Sequence, residues 1–219
     1  MKQKQMIQNK KMTDFACDVN EIHLVGTVCG EAKEEYICSG KIIYKVPVKI
    51  KRFSGEADVL QVEVVEDDIP LFAQNARVEI FGNIKSFDKK DSMGKTHLVI
   101  TVVVKQCKPA DASLDDQNTC VLAGHVCSYP KNRLTPRGVE ITDILLACTC
   151  AVENGGRANY IPLITWFHVA SVLKDVRVGT GLEIHGRLQS RTYTKRTETG
   201  TETRVAYEVS VSDACIYDA

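Results

Sequence analysis

Two copies of one sequence pattern run through this chain, and they limit the folds open to it more than any other feature. The segment Asn20–Cys29 returns as Asn118–Cys127, 98 residues later, with the shared frame N-x-x-x-L-x-G-x-V-C. A second segment, Val78–Ser86, returns as Leu182–Ser190, 104 residues later. Each copy then closes with an alternating strand pattern, at 97–104 and at 205–211. Three matched landmarks in the same order indicate two copies of one domain of roughly 100 residues.

The 219 residues divide at a polar stretch, Lys108–Gln117, whose composition is typical of a link between domains. We therefore predict a first domain over 15–110, a linker over 111–117 and a second domain over 118–219. Residues 1–14 carry several lysines but no apolar stretch, which indicates a disordered tail rather than a signal peptide.

Both copies have the two-residue periodicity of β-strands, most clearly in the closing segments at 97–104 and 205–211. Glycines at 26, 82, 124 and 186 interrupt strand patterns, where a missing side chain permits the sharp coil of a small closed barrel. One short helix per copy is expected, at Asp67–Gln74 and at His168–Lys174. Five strands with one helix before the fourth strand is the order of an OB-fold. The sequence thus predicts an all-β protein of two tandem OB-fold barrels.

Charge, hydropathy and cysteine content exclude several classes of protein. The 28 basic and 28 acidic residues balance, so net charge alone cannot hold nucleic acid, although a locally basic groove can. No apolar run approaches the ~20 residues of a membrane helix. The nine cysteines include no C-x-x-C pair and the five histidines are isolated, which favours reduced cysteines in a cytoplasmic protein without a metal site. Phosphate-loop, G-x-S-x-G and H-E-x-x-H motifs are absent, so we expect neither an enzyme nor a cofactor.

The second copy carries an ordered series of motifs. It opens with Asn118–Val126, continues through the basic loop Arg133–Gly138 to Leu146-Ala147, and then has the aromatic segment Tyr160–Trp166 and the segment Ile184–Tyr193. In this order the motifs resemble the bacterial single-stranded DNA-binding protein (SSB) family over nearly the whole copy. The first copy keeps the opening and the Gly82 strand but has no Trp. The whole chain resembles the tandem OB-fold form of some Gram-positive bacteria and their mobile elements.

The resemblance implies a protein of the bacterial cytoplasm that binds single-stranded DNA with little sequence preference, in replication, recombination or repair. Binding of this kind needs side chains on which bases stack and positive charge along the phosphates. In the second copy, Tyr160 and Trp166 share one face of a predicted strand, while Ile161, Leu163 and Phe167 share the opposite face and are expected in the core. The resemblance places stacked bases on Tyr160 and Trp166; the alternative is that Trp166 packs under the following helix.

Two predicted hairpins of the second copy add basic candidates. The long hairpin Gln189–Arg204 combines an aromatic side chain with several cations, and the first hairpin has two arginines around a Pro and a Gly. A solvated surface would also carry such residues. The candidates are Arg191, Tyr193, Lys195 and Arg196 in the long hairpin, and Arg133 and Arg137 in the first hairpin.

The first copy presents a basic stripe. Its segment Tyr44–Lys51 alternates apolar residues with a set that is mostly lysine, and a solvated edge strand would do the same. Such a stripe on one sheet face suits tracking of a phosphate backbone. The hairpin Lys85–His97 is the counterpart of the long hairpin of the second copy. The candidates are Lys45, Lys49 and Lys51 in the stripe, Arg52 and Phe53 after it, and Lys85, Phe87 and Lys89 in the hairpin.

Two other functions remain open at this stage, namely a protein-interaction scaffold of a replication complex and a single-stranded RNA binder. The segment Glu66–Phe72 echoes the acidic tail through which many SSBs recruit repair enzymes, but it lies where a short helix belongs. The terminal residues 214–219 do not resemble that tail, so recruitment of replication or repair proteins through it is not expected.

The resemblance also bears on assembly. SSB domains usually act in sets of four barrels, so a chain with two implies a homodimer. The segments Val59–Val65 and Val99–Val104 are apolar on both faces, more than a monomeric barrel needs. The alternative is a monomer in which the two copies cover each other.

Overall fold

Each copy of the repeat closes into a barrel of five strands. The structure is a computed structural model that describes residues 7–11, 15, 19–91, 94–149, 158–197 and 200–218, with the backbone alone described at 195–197 and 218. After a short strand β1 (Gln8–Lys11), the first barrel comprises β2 (Asn20–Val28), β3 (Lys33–Cys38), β4 (Lys41–Lys51), β5 (Ala57–Val65), a 3₁₀ helix (Glu66–Phe72), β6 (Arg77–Lys90) and β7 (Thr96–Pro109). The second comprises β8 (Gln117–Val126), β9 (Lys131–Leu134), β10 (Glu140–Thr149), β11 (Ala158–Trp166), α1 (Phe167–Leu173), β12 (Gly181–Thr197) and β13 (Gly200–Asp218).

The strand pairings show that both barrels have the same topology. In the first, β2, β4, β5, β7 and β6 form a closed ring, with β5 and β7 parallel and the other pairs antiparallel. In the second, β8, β10, β11, β13 and β12 repeat this ring, with β11 and β13 parallel. The short strands β3 and β9 extend β4 and β10 as hairpins. The predicted all-β fold of two tandem OB barrels is confirmed.

Apolar residues at every second position fill each barrel, because alternate side chains of a strand point to the same face. The inward side chains of the first barrel include Val46, Val48, Leu60, Val62, Ile80 and Val102, and those of the second include Leu122, Leu146, Ile161, Leu163, Ile184 and Val209. All are buried, and burying each one stabilises the fold by roughly 1.5–3 kcal/mol.

Glycines stand where the strands of a ring approach most closely. A Cβ on Gly82 would lie 2.2 Å from the carbonyl oxygen of Val103, and one on Gly124 would lie 2.3 Å from that of Ala147. Both distances are far below a van der Waals contact, so these positions exclude any side chain. The predicted role of the strand glycines in barrel closure is confirmed.

The two barrels join edge to edge through antiparallel pairing of β2 with β8, from Asn20 opposite Leu122 to Val25 opposite Gln117. A six-stranded sheet, in the order β7-β6-β2-β8-β12-β13, therefore runs across both barrels. The linker lies against the first barrel, where Asp116 accepts hydrogen bonds from the amide of Lys51 and the guanidinium of Arg77, both at 2.7 Å.

The short helices lie close to their predicted places. The first is the 3₁₀ helix, and it contains Pro70, which has no N–H to donate and keeps the turn short. The second is α1, one residue ahead of the predicted start. Phe72 is buried, so the acidic segment Glu66–Phe72 is an ordinary helical turn whose aromatic residue belongs to the core.

Two features differ from the sequence-based expectations. Gln8–Lys11, expected within a disordered tail, instead forms β1 and pairs in parallel with Cys215–Asp218 of β13. Lys10 donates a hydrogen bond to the Tyr217 hydroxyl at 3.3 Å, and the Phe15 ring packs 4.8 Å from the Tyr217 ring. This segment thus supplies partners for an edge of β13 that would otherwise lack them.

Phe167 is not in the core as expected, because 67% of its surface is exposed. The strand periodicity ends at Trp166, and Phe167 begins α1 with a φ of +52°. A left-handed backbone at this point ends the extended strand, so the inside-outside alternation of β11 does not reach Phe167.

Candidate nucleic-acid interface

The basic stripe of β4 has the predicted alternation, with Val46, Val48 and Ile50 inside and the lysines outside. The side chain of Lys45 is only 20% exposed and lies 2.7 Å from the carboxylate of Glu35 on β3. Lys49 and Lys51 are exposed, and neither forms a salt bridge with any residue that the structure describes. The positive charge that faces solvent on this strand therefore comes from Lys49 and Lys51.

The β6–β7 hairpin places a second set of lysines beside β3. Lys85 lies 2.9 Å from Glu63, which is buried and also accepts hydrogen bonds from the hydroxyls of Tyr36 (2.6 Å) and Thr101 (2.8 Å). Burial disfavours the charged form of Lys85, but its hydrogen bonds to Tyr36 and Glu63 outweigh burial and raise its pKa. Lys85 is therefore a fixed cation at neutral pH.

Aromatic rings surround that cation. The Lys85 ammonium lies 4.7 Å from the ring centre of Tyr36 and 5.4 Å from that of Phe87. Lys89, further along the hairpin, shares the Glu35 carboxylate with Lys45 at 3.3 Å. The hydrogen bond from Lys45 lowers the pKa of Glu35. Three lysines thus meet two carboxylates here, which leaves one net positive charge beside two aromatic rings.

Arg52 and Phe53 occupy the turn between β4 and β5 and differ in their surroundings. Arg52 donates to the buried carboxylate of Asp58 through Nε at 2.8 Å and also contacts Glu56 at 3.1 Å. Phe53 is fully exposed. Both residues line a cleft of about 570 Å³, and Arg187 of the second barrel lines it as well. Arg52 therefore serves mainly to hold Asp58, whereas Phe53 is available to a ligand.

In the second barrel, Tyr160 and Trp166 lie on one outer face of β11, as predicted. Tyr160 is 48% exposed and Trp166 is half-buried, while Ile161 and Leu163 point into the core. Trp166 lies six positions after Tyr160, which places the two aromatic residues about 20 Å apart along the strand. That spacing admits several nucleotides of an extended single strand.

The remaining basic candidates of the second barrel lie around this face. Ile141 of β10 pairs with Arg133 of β9 on one side and with Trp166 of β11 on the other. The Nε of Arg133 donates a hydrogen bond to the carboxylate of Asp143 at 2.8 Å. Arg137 is exposed in the turn after β9. On β12, Arg191 lies 5.7 Å from the ring centre of Tyr193 and 3.6 Å from Glu208. Lys195 and Arg196 lie in β12, and their side chains fall outside the described part of the chain.

Two adjacent clefts bring candidates from both barrels together. A cleft of about 700 Å³ is lined by Lys85, Phe87 and Leu98 of the first barrel and by Tyr160 of the second. The neighbouring cleft, of about 680 Å³, is lined by Tyr193 and Pro162 of the second barrel and again by Leu98. Three predicted aromatic residues therefore lie on one surface, whereas Trp166 and Phe53 lie away from it.

Tyr36 and Leu98 were not predicted as candidates, although Tyr36 contacts Lys85 and Leu98 lines both clefts. Tyr36 lies in the strand Lys33–Cys38, where no basic or aromatic cluster marks it. Leu98 is 42% exposed, yet its alternation with other apolar residues made it indistinguishable from a core residue. Their placement depends on which strands become neighbours, and the local pattern does not contain that information.

No group of three or more His, Cys, Asp or Glu residues in the described ranges is arranged to hold a metal ion. Among those same residues, no helix has the length and apolar character to span a membrane.

Comparison with known proteins finds a family model that matches the second barrel and solved structures that share the fold of the chain. Residues 117–215 match the model of the Single-strand binding protein family. Two crystal structures of the single-stranded DNA-binding protein from Thermus aquaticus are similar over 90% of this chain. The wild-type protein has a TM-score of 0.68 at 18% identity and is covered over 91% of its length. A deletion mutant has a TM-score of 0.69 at 17% identity and is covered over 93%. A search of curated proteins found no match.

Proposed function

We propose that this two-barrel protein, whose second barrel matches the model of the Single-strand binding protein family, binds single-stranded DNA with little sequence preference. The observation that carries the proposal is the outer face of β11, where Tyr160 and Trp166 are accessible about 20 Å apart within the matched domain. Bases would stack on these rings, and phosphates would pair with exposed cations such as Lys49 and Lys51. Stacking is tolerant of sequence because every base has a π-face. The protein would coat strands exposed in replication, recombination or repair.

An electrophoretic mobility shift with oligo-dT tests this proposal directly. We expect a shift at low salt, and an oligo-dT of equal length should compete better than oligo-U. The RNA-binding alternative predicts the opposite order of competition. The protein-scaffold alternative predicts no shift with either oligomer, and that result would contradict the proposal.

Binding should depend strongly on salt although the chain has no net charge. Each phosphate contact contributes about −0.7 to the slope of log K against log salt for single strands. Replacing Lys49 and Lys51 by Gln should therefore make the slope less negative by about 1.4. Lys10→Gln with Lys11→Gln removes the same charge from β1, outside the candidate surface, and should leave the slope unchanged. A wild-type slope near zero would favour the scaffold alternative.

We further propose that the protein forms a homodimer with four barrels. The outer face of the six-stranded sheet supports this, because Phe81 is exposed there, stacked 4.3 Å from the His23 ring beside a cavity of about 420 Å³. In the segment Val59–Val65, which the sequence assigned to a partner, the amide of Val59 donates to Ser190 Oγ of the second barrel at 3.0 Å, while the Val59 side chain is 37% exposed.

Light scattering should give a mass near twice the chain mass of 24.3 kDa at micromolar concentration. Phe81→Glu should reduce it to the mass of one chain, because a carboxylate would be buried without a partner. Ile37→Glu, a change at an exposed residue of β3, should leave the dimer intact. A wild-type mass near 24.3 kDa at every concentration would show that the barrels pack only within one chain.

A further inference from the structure

The two barrels are fastened to each other by equivalent serines. On one side, the amide of Ser86 donates to Asn159 Oδ1 at 2.8 Å, and the amide of Tyr160 donates to Ser86 Oγ at 2.7 Å. On the other side, the amide of Ser190 donates to Asp58 Oδ1 at 2.8 Å, and that of Val59 donates to Ser190 Oγ at 3.0 Å. The hairpin of each barrel is thus held to a strand of the other by the same pair of bonds.

These bonds fix the residues that follow them. Phe87 comes directly after Ser86, and Tyr160 directly after Asn159, so the position of one ring is tied to that of the other. Between them lies the cleft of about 700 Å³, with Leu98 on its apolar wall and Lys85 against the Phe87 ring. Asp88 also lines this cleft. These bonds therefore fix the backbone that carries both rings before any ligand arrives.

The equivalent positions on the other side of the contact between the barrels carry different residues. The strand pairings place Arg191 where the first barrel has Phe87, Val59 where the second has Tyr160, and Val205 where the first has Leu98. Arg191 interacts there with Glu208. No ring therefore occupies the two positions that are aromatic in the first cleft. The hydrogen bonds between the barrels are therefore equivalent on the two sides, whereas aromatic side chains for stacking occupy these positions on one side only.

We propose that Phe87 and Tyr160 form one shared base-stacking site, at which a single DNA strand passes from the first barrel to the second. A base between two apolar faces from different barrels ties both barrels to the same nucleotide. Lys85, whose ammonium lies 5.4 Å from the ring centre of Phe87, is already paired with Glu63. The strand does not cross at the equivalent positions, which have no aromatic rings. This inference rests on the proposed function and adds to it a defined path between the barrels.

A double-mutant cycle with fluorescein-labelled oligo-dT, read by anisotropy, tests the shared site. Phe87→Ala and Tyr160→Ala should each weaken binding by about tenfold, in line with the loss of one stacking contact. If both rings hold one base, the double variant should weaken binding by roughly 10- to 30-fold, well short of the hundredfold product of two separate sites. Phe87→Leu, which keeps apolar volume without a ring, should lose nearly as much as Phe87→Ala.

The matched control pairs Phe87→Ala with Trp166→Ala, whose side chain lies at the far end of β11. Those two losses should multiply, because the residues would contact different nucleotides. Val59→Ala, at the position of the first barrel that is equivalent to Tyr160, should leave the affinity for oligo-dT unchanged. Multiplying losses for Phe87 and Tyr160, or a folded Phe87→Ala variant with wild-type affinity, would overturn the shared site while leaving DNA binding intact. A wild-type protein that does not bind oligo-dT would instead overturn the proposed function, and the shared site with it.

Discussion

Asp58→Ala should lower the free energy of unfolding by about 1–3 kcal/mol, because the amide of Ser190 and two half-buried guanidinium groups lose their acceptor. Asp58 is 1% exposed and lies at the contact between the barrels. Its carboxylate accepts from Arg52 of the first barrel at 2.8 Å and from Arg187 of the second at 3.2 Å, and from the amide of Ser190. Burial already lowers the pKa of Arg187, and so does the neighbouring Arg52. Without the carboxylate, Arg52 would keep Glu56 and Arg187 would keep Gln189, but the two guanidinium groups would repel each other.

Asp58→Asn is the informative control, because the protein itself has Asn159 at the equivalent position. Asn159 Oδ1 accepts from the amide of Ser86 as Asp58 Oδ1 accepts from that of Ser190. The Asn variant should therefore keep this hydrogen bond, lose the charge and fall between wild type and Asp58→Ala. Urea unfolding followed by circular dichroism measures all three proteins. An Asp58→Ala transition coincident with that of wild type would show that the arginines find other partners.

The barrels could be predicted from the sequence because a barrel strand leaves a local trace. Alternation over two residues identifies which side chains face inward, as for Val46 and Val48, and glycines such as Gly82 mark the points of closest strand approach. The repeat then supplied the domain count without any alignment. These features depend on residues that are close together in the chain, so they can be recognised from the sequence alone.

The contact between the barrels could not be predicted from a local sequence pattern. The pairing of β2 with β8 joins two strands whose sequences would also suit the edge of a separate barrel. Ser86 and Ser190 occur in the repeated segments, but their bonds to Asn159 and Asp58 reach 73 and 132 residues along the chain. Only the folded topology brings these partners together, and the shared cleft follows from that topology.

Charge was the second property that could not be judged from the sequence. The stripe of β4 appeared uniformly basic, yet Glu35 from β3 neutralises Lys45, and Glu63 from β5 neutralises Lys85. Asp58 likewise forms a salt bridge with Arg52 and neutralises its charge. A carboxylate on a neighbouring strand changes the charge of a surface as much as one next in sequence, and its position depends on strand register.

Trp166→Ala should weaken binding of oligo-dT by roughly ten- to a hundredfold, since stacking of a base on an aromatic side chain contributes ~1–3 kcal/mol. Trp166 ends β11 on the same outer face as Tyr160 and is half-buried, so one part of the indole packs on the barrel while another part stays accessible. It is the one Trp of the chain, and its fluorescence therefore reports on this position alone. Titration of wild-type protein with oligo-dT should quench that fluorescence as a base stacks on the indole.

The variants of Trp166 separate stacking from packing. Trp166→Phe keeps an aromatic face and should retain most of the affinity, whereas Trp166→Ala removes it; anisotropy of labelled oligo-dT measures both without the indole signal. If Trp166 only packs beneath α1, which begins at the next residue, Ala should instead lower the urea midpoint and leave affinity unchanged. A folded Ala variant with wild-type affinity would rule out stacking at this position. Because Trp166 lies about 20 Å from Tyr160 along β11, its loss should be larger with an oligomer long enough to reach both rings than with one that spans only three nucleotides.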